Sequence, residues 1–294
     1  MKSFLLIIVA LTLALFAFTK IVDPPRQLSL INNLWPGDSD AKQVAEGVVF
    51  DPKSGLKLDI WAPEKPTGAV LIFYYGGGWA HGARDGYAFV GKAFAAKGFT
   101  VVIPDYRKVP QVRFPTFVED GAAAIKWTRD NIAKYGGDPA RITLSGHSAG
   151  AHIAMMLTLD PHYLQAQGVD PKIIRATVGM SGPYDFYPFD SARSINAMMA
   201  WPNPQETQPL HYASKAAPPI MVMTGTADDT VKPRNAILLS HRLSELGTVV
   251  TFKAYEGLSH EDVAMALSKV FRGKAPVLDD AAQFLQENGR AASE

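Results

Sequence analysis

Ser148 lies in Gly146-His147-Ser148-Ala149-Gly150, directly after the apolar run Ile142-Thr143-Leu144. A Gly-x-Ser-x-Gly placed between a buried strand and a helix makes a sharp turn that lifts the hydroxyl out of the backbone. Side chains at the two glycine positions would collide with their neighbours. The chemistry on offer is nucleophilic attack, for which a weak hydroxyl needs an adjacent base and the base an orienting acid. Alone the pentapeptide says little, since ordinary Gly and Ser frequencies supply it in roughly one chain in ten of this length. Its weight comes from the residues around it.

With this elbow the chain order is serine, acid, histidine. Three histidines lie well beyond Ser148. His211 leaves no good strand-end acid behind Ser148 except Asp185, and His241 falls inside the helical pattern Leu238–Leu243. His260 ends Tyr255-Glu256-Gly257-Leu258-Ser259-His260, a glycine-containing loop between a strand and a helix, from which a base can reach the elbow. For the acid, Asp228 follows the apolar run Met221-Val222-Met223 closely, with Asp229 its immediate competitor and Asp185 a more distant one. The donors for a developing oxyanion are read in Tyr75-Gly76-Gly77-Gly78-Trp79, where glycines bare consecutive N–H groups after another apolar strand. Gly77 and Gly78, with the N–H of Ala149, are the expected set.

The elements that must position these groups follow from periodicity. Residues 48–50 and 56–61 read as an antiparallel hairpin, and 69–75, 99–104, 142–144, 174–180, 220–223 and 249–254 as further strands. Helices are expected over 117–135, 149–159, 235–246, 263–271 and 279–287. Buried strands alternating with helices define an α/β fold with a mainly parallel central sheet and helices on both faces. In such sheets functional groups gather at the carboxyl ends of strands. The catalytic domain is expected over 44–294, with 182–218 as a small lid-like insertion. Its Tyr184 and Phe186, together with Trp79, are the candidate substrate-contacting aromatics.

Asp23-Pro24-Pro25 and Pro36-Gly37 mark residues 23–43 as an irregular tether. Before it, Met1-Lys2-Ser3 and the apolar stretch Phe4–Phe18 read as either a signal peptide or a membrane anchor over 1–22. At 1.5 Å per residue the stretch spans about 22 Å, short of roughly 30 Å of hydrocarbon. Ala17-Phe18-Thr19 is a weak cleavage site, and Ile21 and Val22 with a snorkelling Lys20 extend the apolar length. The protein is therefore expected to be exported, in the periplasm or otherwise outside the cytoplasm, with its N-terminal segment contacting the membrane if retained. A net charge of +1 gives no reason to expect nucleic acid, and the lack of cysteine excludes disulfides and thiol chemistry. Oligomeric state is left open.

The combination of YGGGW, VVIPDYR, FVEDGAAAIKW, Gly136-Gly137-Asp138-Pro139, GHSAG, SGPYDF, GTADDTV and Gly257-Leu258-Ser259-His260 resembles the α/β-hydrolases. The likeness is to the bacterial carboxylesterase and lipase group of feruloyl-esterase-like, BD-FAE type, over about residues 44–290. The resemblance implies a Ser148-His260-Asp228 triad, the acid being the first Asp of Gly225-x-x-Asp228-x-x-Val231. It implies hydrolysis of small esters of short acyl or aromatic acids, without metal or organic cofactor. Many relatives carry His before the oxyanion glycines, where this chain has Tyr75. The same machinery would serve an amidase or formamidase on a small acylated amine. A non-catalytic, membrane-tethered binding protein is the remaining class, and the intact Ser148, Asp228 and His260 argue against it.

Overall fold

A computed structural model of the chain describes residues 23–291, so the signal or anchor segment lies outside the described residues. β1 (Ala41–Asp51) and β2 (Leu56–Pro63) form the expected antiparallel hairpin. β2 pairs antiparallel with β4 (Thr100–Pro104), and β4 runs parallel to β3 (Gly68–Tyr74). The parallel run continues through β5 (Gly137–His147), β6 (Ile174–Met180), β7 (Ile220–Gly225) and β8 (Val250–Tyr255). The resulting order is β1-β2-β4-β3-β5-β6-β7-β8. Val70 to Tyr74 on β3 and Val101 to Ile103 on β4 are wholly enclosed, as continuous apolar runs must be when helices cover both faces.

The helices are α1 (Pro24–Leu34), α2 (Ala88–Ala96), α3 (Thr116–Asn131) and α4 (Ala149–Leu159). They are followed by α5 (His162–Ala166), α6 (Ala192–Met198), α7 (Arg234–Glu245), α8 (His260–Met265) and α9 (Val277–Asn288). α2, α5 and α6 were not expected from the sequence. α2 is apolar on nearly every side and buries most of its residues, so it carries no amphipathic period to detect.

Two expectations are corrected. Residues 23–43 are not an irregular tether: they hold α1 and the start of β1, and Leu28, Ser29 and Asn32 are buried against the domain. Pro24 and Pro25 stand in the first helical turn, where a missing N–H costs nothing and the fixed φ suits a helix, so they start the element rather than break the chain. The helix expected over 263–271 starts at His260 and ends at Met265. Ser259 is its N-cap, exchanging hydrogen bonds with Asp262 in a capping box.

Every element that carries an expected site residue delivers it at the carboxyl edge of the sheet. β3 leads into Gly76–Gly78, β5 into Ser148, β7 into Asp228 and β8 into His260. β3 and β5 are neighbours, as are β7 and β8, with β6 between the pairs. The loop after β8 must therefore bring its histidine back across the end of β6.

Candidate active site

Ser148 sits between β5 and α4 at φ 55°, ψ −123°, a left-handed conformation that non-glycine residues rarely hold. Its N–H donates to the Met180 carbonyl at 2.9 Å, and its own carbonyl accepts from His152 N–H at 3.1 Å, locking the turn on both sides. The elbow closes so tightly that a Cβ on Gly150 would overlap the carbonyls of Tyr74 and Tyr75 on the adjoining strand end. Such strain is stored at functional positions at roughly 1–3 kcal/mol and persists only where the surroundings over-determine it.

His260 Nε2 lies 2.9 Å from Ser148 Oγ, and His260 Nδ1 lies 2.9 Å from Asp228 Oδ2. A carboxylate can only accept, so Nδ1 carries the proton and Nε2 is free to accept from the serine hydroxyl. Asp228 is buried, and its other oxygen accepts from the Thr230 and Val231 N–H groups at 3.1 and 2.8 Å. Burial works against its charge, but the His260 contact and the Val231 N–H outweigh it and hold the carboxyl below its ordinary 3.8. The Val231 bond also gives the Gly225-x-x-Asp228-x-x-Val231 spacing a physical meaning.

The competitors fall elsewhere. Asp229 is exposed and accepts from Thr230 Oγ1, while Asp185 pairs with Arg234 at 3.2 Å. His211 and His241 are both exposed.

The glycine loop after β3 runs Gly77, Gly78 and Trp79 through successive positive φ values of 127°, 60° and 59°. At Gly77 a Cβ would overlap the His81 carbonyl, so only glycine fits the turn. The Gly77 carbonyl accepts from Ala80 and His81 N–H at 3.1 and 3.0 Å, which fixes the turn, and the Gly77 and Gly78 N–H groups donate to no acceptor among the described residues. Ala149 opens α4, where the first helical N–H groups also lack intrahelical partners. Tyr75 supports the loop from below. Its hydroxyl donates to Asp105 at 2.8 Å, and Asp105 in turn accepts from Arg84, which also holds Asp59. The tyrosine found in place of the usual histidine is thus a fully engaged strut, stacked between Tyr87 and Tyr106.

A cavity of about 400 Å³ opens over Ser148, lined by Gly76–Gly78, His147 and His260. Asp23, Pro24, Pro25 and Leu28 at the start of α1, Tyr87, Phe89 of α2, Arg193 of α6, and Glu261 and Met265 of α8 add to its wall. Trp79, Tyr184 and Phe186 do not line it, which corrects the expected substrate-contacting set. Trp79 is buried and stacks on Phe117 and Phe186 at 6.1 and 5.9 Å, edge-on to His152 at 5.3 Å. Tyr184 is 0% exposed. These aromatics fasten the 182–218 insertion to the domain, because large rings gain most where they are enclosed. The insertion nonetheless meets the cavity through Arg193, whose Cδ lies 2.8 Å from where a Cβ on Gly78 would stand.

Two buried histidines were missed by the sequence reading. His147 Nε2 donates to the His260 backbone carbonyl at 2.9 Å, and the two rings lie 4.7 Å apart. Burial first, and then the neighbouring His260 ring, push it down to about 3, so it stays neutral and pins the His260 backbone. His152 Nε2 donates to the Thr207 carbonyl at 2.9 Å, tying α4 to the insertion, and burial pushes it down to about 4. The α1 wall carried a readable signal, Pro24-Pro25 followed by Leu28 and Asn32 at helical spacing. Arg193 carried none.

The sheet order, the strand-end elbow and the glycine loop define an α/β-hydrolase. More narrowly, the chain belongs to the BD-FAE family, whose family model matches residues 58–243. Esterase LipC of Mycobacterium tuberculosis (strain ATCC 25618 / H37Rv) is 34% identical over 221 residues, covering 67% of this chain and 54% of that protein. A probable isoprenylcysteine alpha-carbonyl methylesterase of Oryza sativa subsp. japonica is 30% identical over 247 residues, covering 76% of this chain and 58% of that protein. The chain thus spans little more than half the length of these curated relatives. Among solved structures, a truncated carbohydrate esterase from gut microbiota superposes with a TM-score of 0.74 at 21% identity, over 86% of this chain and 99% of that one. At that identity the likeness speaks for the fold.

Proposed function

We propose that the protein is a serine carboxylic ester hydrolase that works through an acyl-enzyme, with Ser148 as nucleophile, His260 as base and Asp228 as orienting acid. The observation that carries this reading is the run of 2.9 Å contacts from Ser148 through His260 to Asp228, beneath a cavity edged by unbonded N–H groups. The names of the relatives, an esterase and a methylesterase, support the choice of an ester bond.

Ser148 Oγ attacks the ester carbonyl as His260 Nε2 removes its proton, and Asp228 steadies the imidazolium that forms. The Gly77, Gly78 and Ala149 N–H groups receive the developing oxyanion, donors worth about a hundred- to a thousandfold each. His260 then protonates the departing alcohol, and water repeats the cycle to release the acid. The cavity of about 400 Å³, narrowed by α1 and Arg193, favours a short acyl or an aromatic group.

The test is hydrolysis of p-nitrophenyl esters from acetate to laurate by wild type and Ser148→Ala. Wild-type kcat/KM falls by tenfold or more between butyrate and laurate, and Ser148→Ala loses on the order of a millionfold in kcat. Appreciable turnover by Ser148→Ala would overturn the assignment.

A further inference from the structure

α1 turns most of its large apolar side chains away from the domain. Toward the domain it buries Leu28, Ser29 and Asn32, and Pro24, Pro25 and Leu28 wall the cavity over Ser148. On the opposite side Leu30 is 49% exposed, Ile31 44% and Leu34 85%, and the following Trp35 is 52% exposed. A surface helix ordinarily turns polar residues outward, and an exposed apolar stripe of this kind marks a face that is covered in use. The patch has a basic margin. Lys92 donates to the neutral Asn33 side chain and Lys269 to the Trp35 and Gly37 carbonyls, so among the described residues neither ammonium touches a carboxylate, with Asp38 the nearby acid acting on Lys92. Arg26 and Arg272 are paired with Asp85 and Asp38. The sequence that enters α1 is the apolar stretch Phe4–Phe18, separated from Asp23 by only Thr19-Lys20-Ile21-Val22.

We propose that the outer face of α1 docks on a lipid bilayer. Leu30, Ile31 and Leu34 enter the acyl boundary, Trp35 sits at headgroup level, and Lys92 and Lys269 face anionic headgroups. The short link to an apolar segment of membrane character and two lysines that no carboxylate touches among the described residues together select a membrane over a soluble partner. Because one helix forms both the docking face and the cavity wall, docking brings the mouth over Ser148 to the membrane surface. On the ester-hydrolase reading above, the substrate class is an amphiphilic ester: a small acyl group on an apolar alcohol that partitions into the bilayer.

The chain has no cysteine, so single thiols can be labelled without background. The full chain carrying Leu34→Cys, labelled with an environment-sensitive nitrobenzoxadiazole, is reconstituted in phosphatidylcholine–phosphatidylglycerol vesicles with and without brominated acyl chains. A second sample carries Lys172→Cys, exposed at the amino end of β6. Docking gives at least twofold quenching by brominated lipid at position 34 and none at 172. Equal quenching at both positions, or water-like emission at both, overturns the proposal. So does emission at position 34 that is already blue-shifted and indifferent to brominated lipid, which means that the N-terminal segment or a second copy covers the face. In the same vesicles Leu30→Ser/Leu34→Ser lowers hydrolysis of dodecyl acetate at least fivefold and leaves p-nitrophenyl acetate unchanged. An equal fall on both esters contradicts delivery from the membrane. If the wild type hydrolyses neither ester, the hydrolase reading fails, and the quenching still decides the docking.

Discussion

Ser148 carries the two tensions of the site in one residue. Its hydroxyl is held 2.9 Å from a base, and its backbone is held at a φ of 55°. Removing the hydroxyl and relaxing the backbone are separable. Ser148→Ala keeps the strain, whereas glycine adopts this conformation freely. We expect Ser148→Gly to be as inactive as Ser148→Ala yet more stable by about 1 kcal/mol, a rise of roughly 2–4 °C in Tm for a domain of this size. Calorimetry of the two variants checks it, and equal melting temperatures would show that the elbow is unstrained.

The buried histidines weaken the fold in acid. In the unfolded chain they titrate near 6.5, but folded they resist protonation down to about 3 for His147 and about 4 for His152. Between those values the unfolded state binds more protons, so stability rises with pH through this window and is lost as pH falls from 6.5 toward 3. His147→Gln keeps a donor for the His260 carbonyl but cannot titrate. Its Tm should fall several degrees less than the wild type's between pH 7 and pH 4.5, and parallel losses would contradict the assignment.

At the scale of elements, the elbow works because α4 starts against the ends of β3 and β5. Gly150→Ala places a Cβ onto two backbone carbonyls that cannot move independently. Overpacking of this kind costs about 1–3 kcal/mol or more, so the variant should melt several degrees lower and lose most of its activity. A variant with wild-type Tm would mean that the close approach is relieved by a small shift of α4. The same elements show what the sequence could reveal. The α4 and β6 limits were legible because apolar runs end there at unmistakable turns, and Asp228 and His260 were legible because both follow such runs closely. α1 was not, since a Pro-Pro pair reads as an interruption unless the buried Leu28 and Asn32 behind it are weighed. Nor was the start of α8, where Ser259 and Asp262 form a capping box that the glycine-containing loop obscured. Trp79, Tyr184 and Phe186 were misplaced because composition identifies rings that must be enclosed without saying whether substrate or protein encloses them.

At the scale of the whole molecule, the single sheet collects groups from four strand ends over one edge, and α1 with the 182–218 insertion closes the cavity around them. The glycine loop, Ser148 and His260 thus reach one point from strands that are far apart in sequence. That convergence is meaningful only if Ser148 is the reactive serine among all those in the chain. The direct measurement is reaction of the full chain with a fluorophosphonate, followed by intact-mass and peptide mass spectrometry at neutral pH. The account predicts one adduct per chain, on the peptide containing Ser148, and its disappearance in Ser148→Ala and in His260→Ala. No adduct on folded protein, or an adduct on another serine, would contradict it.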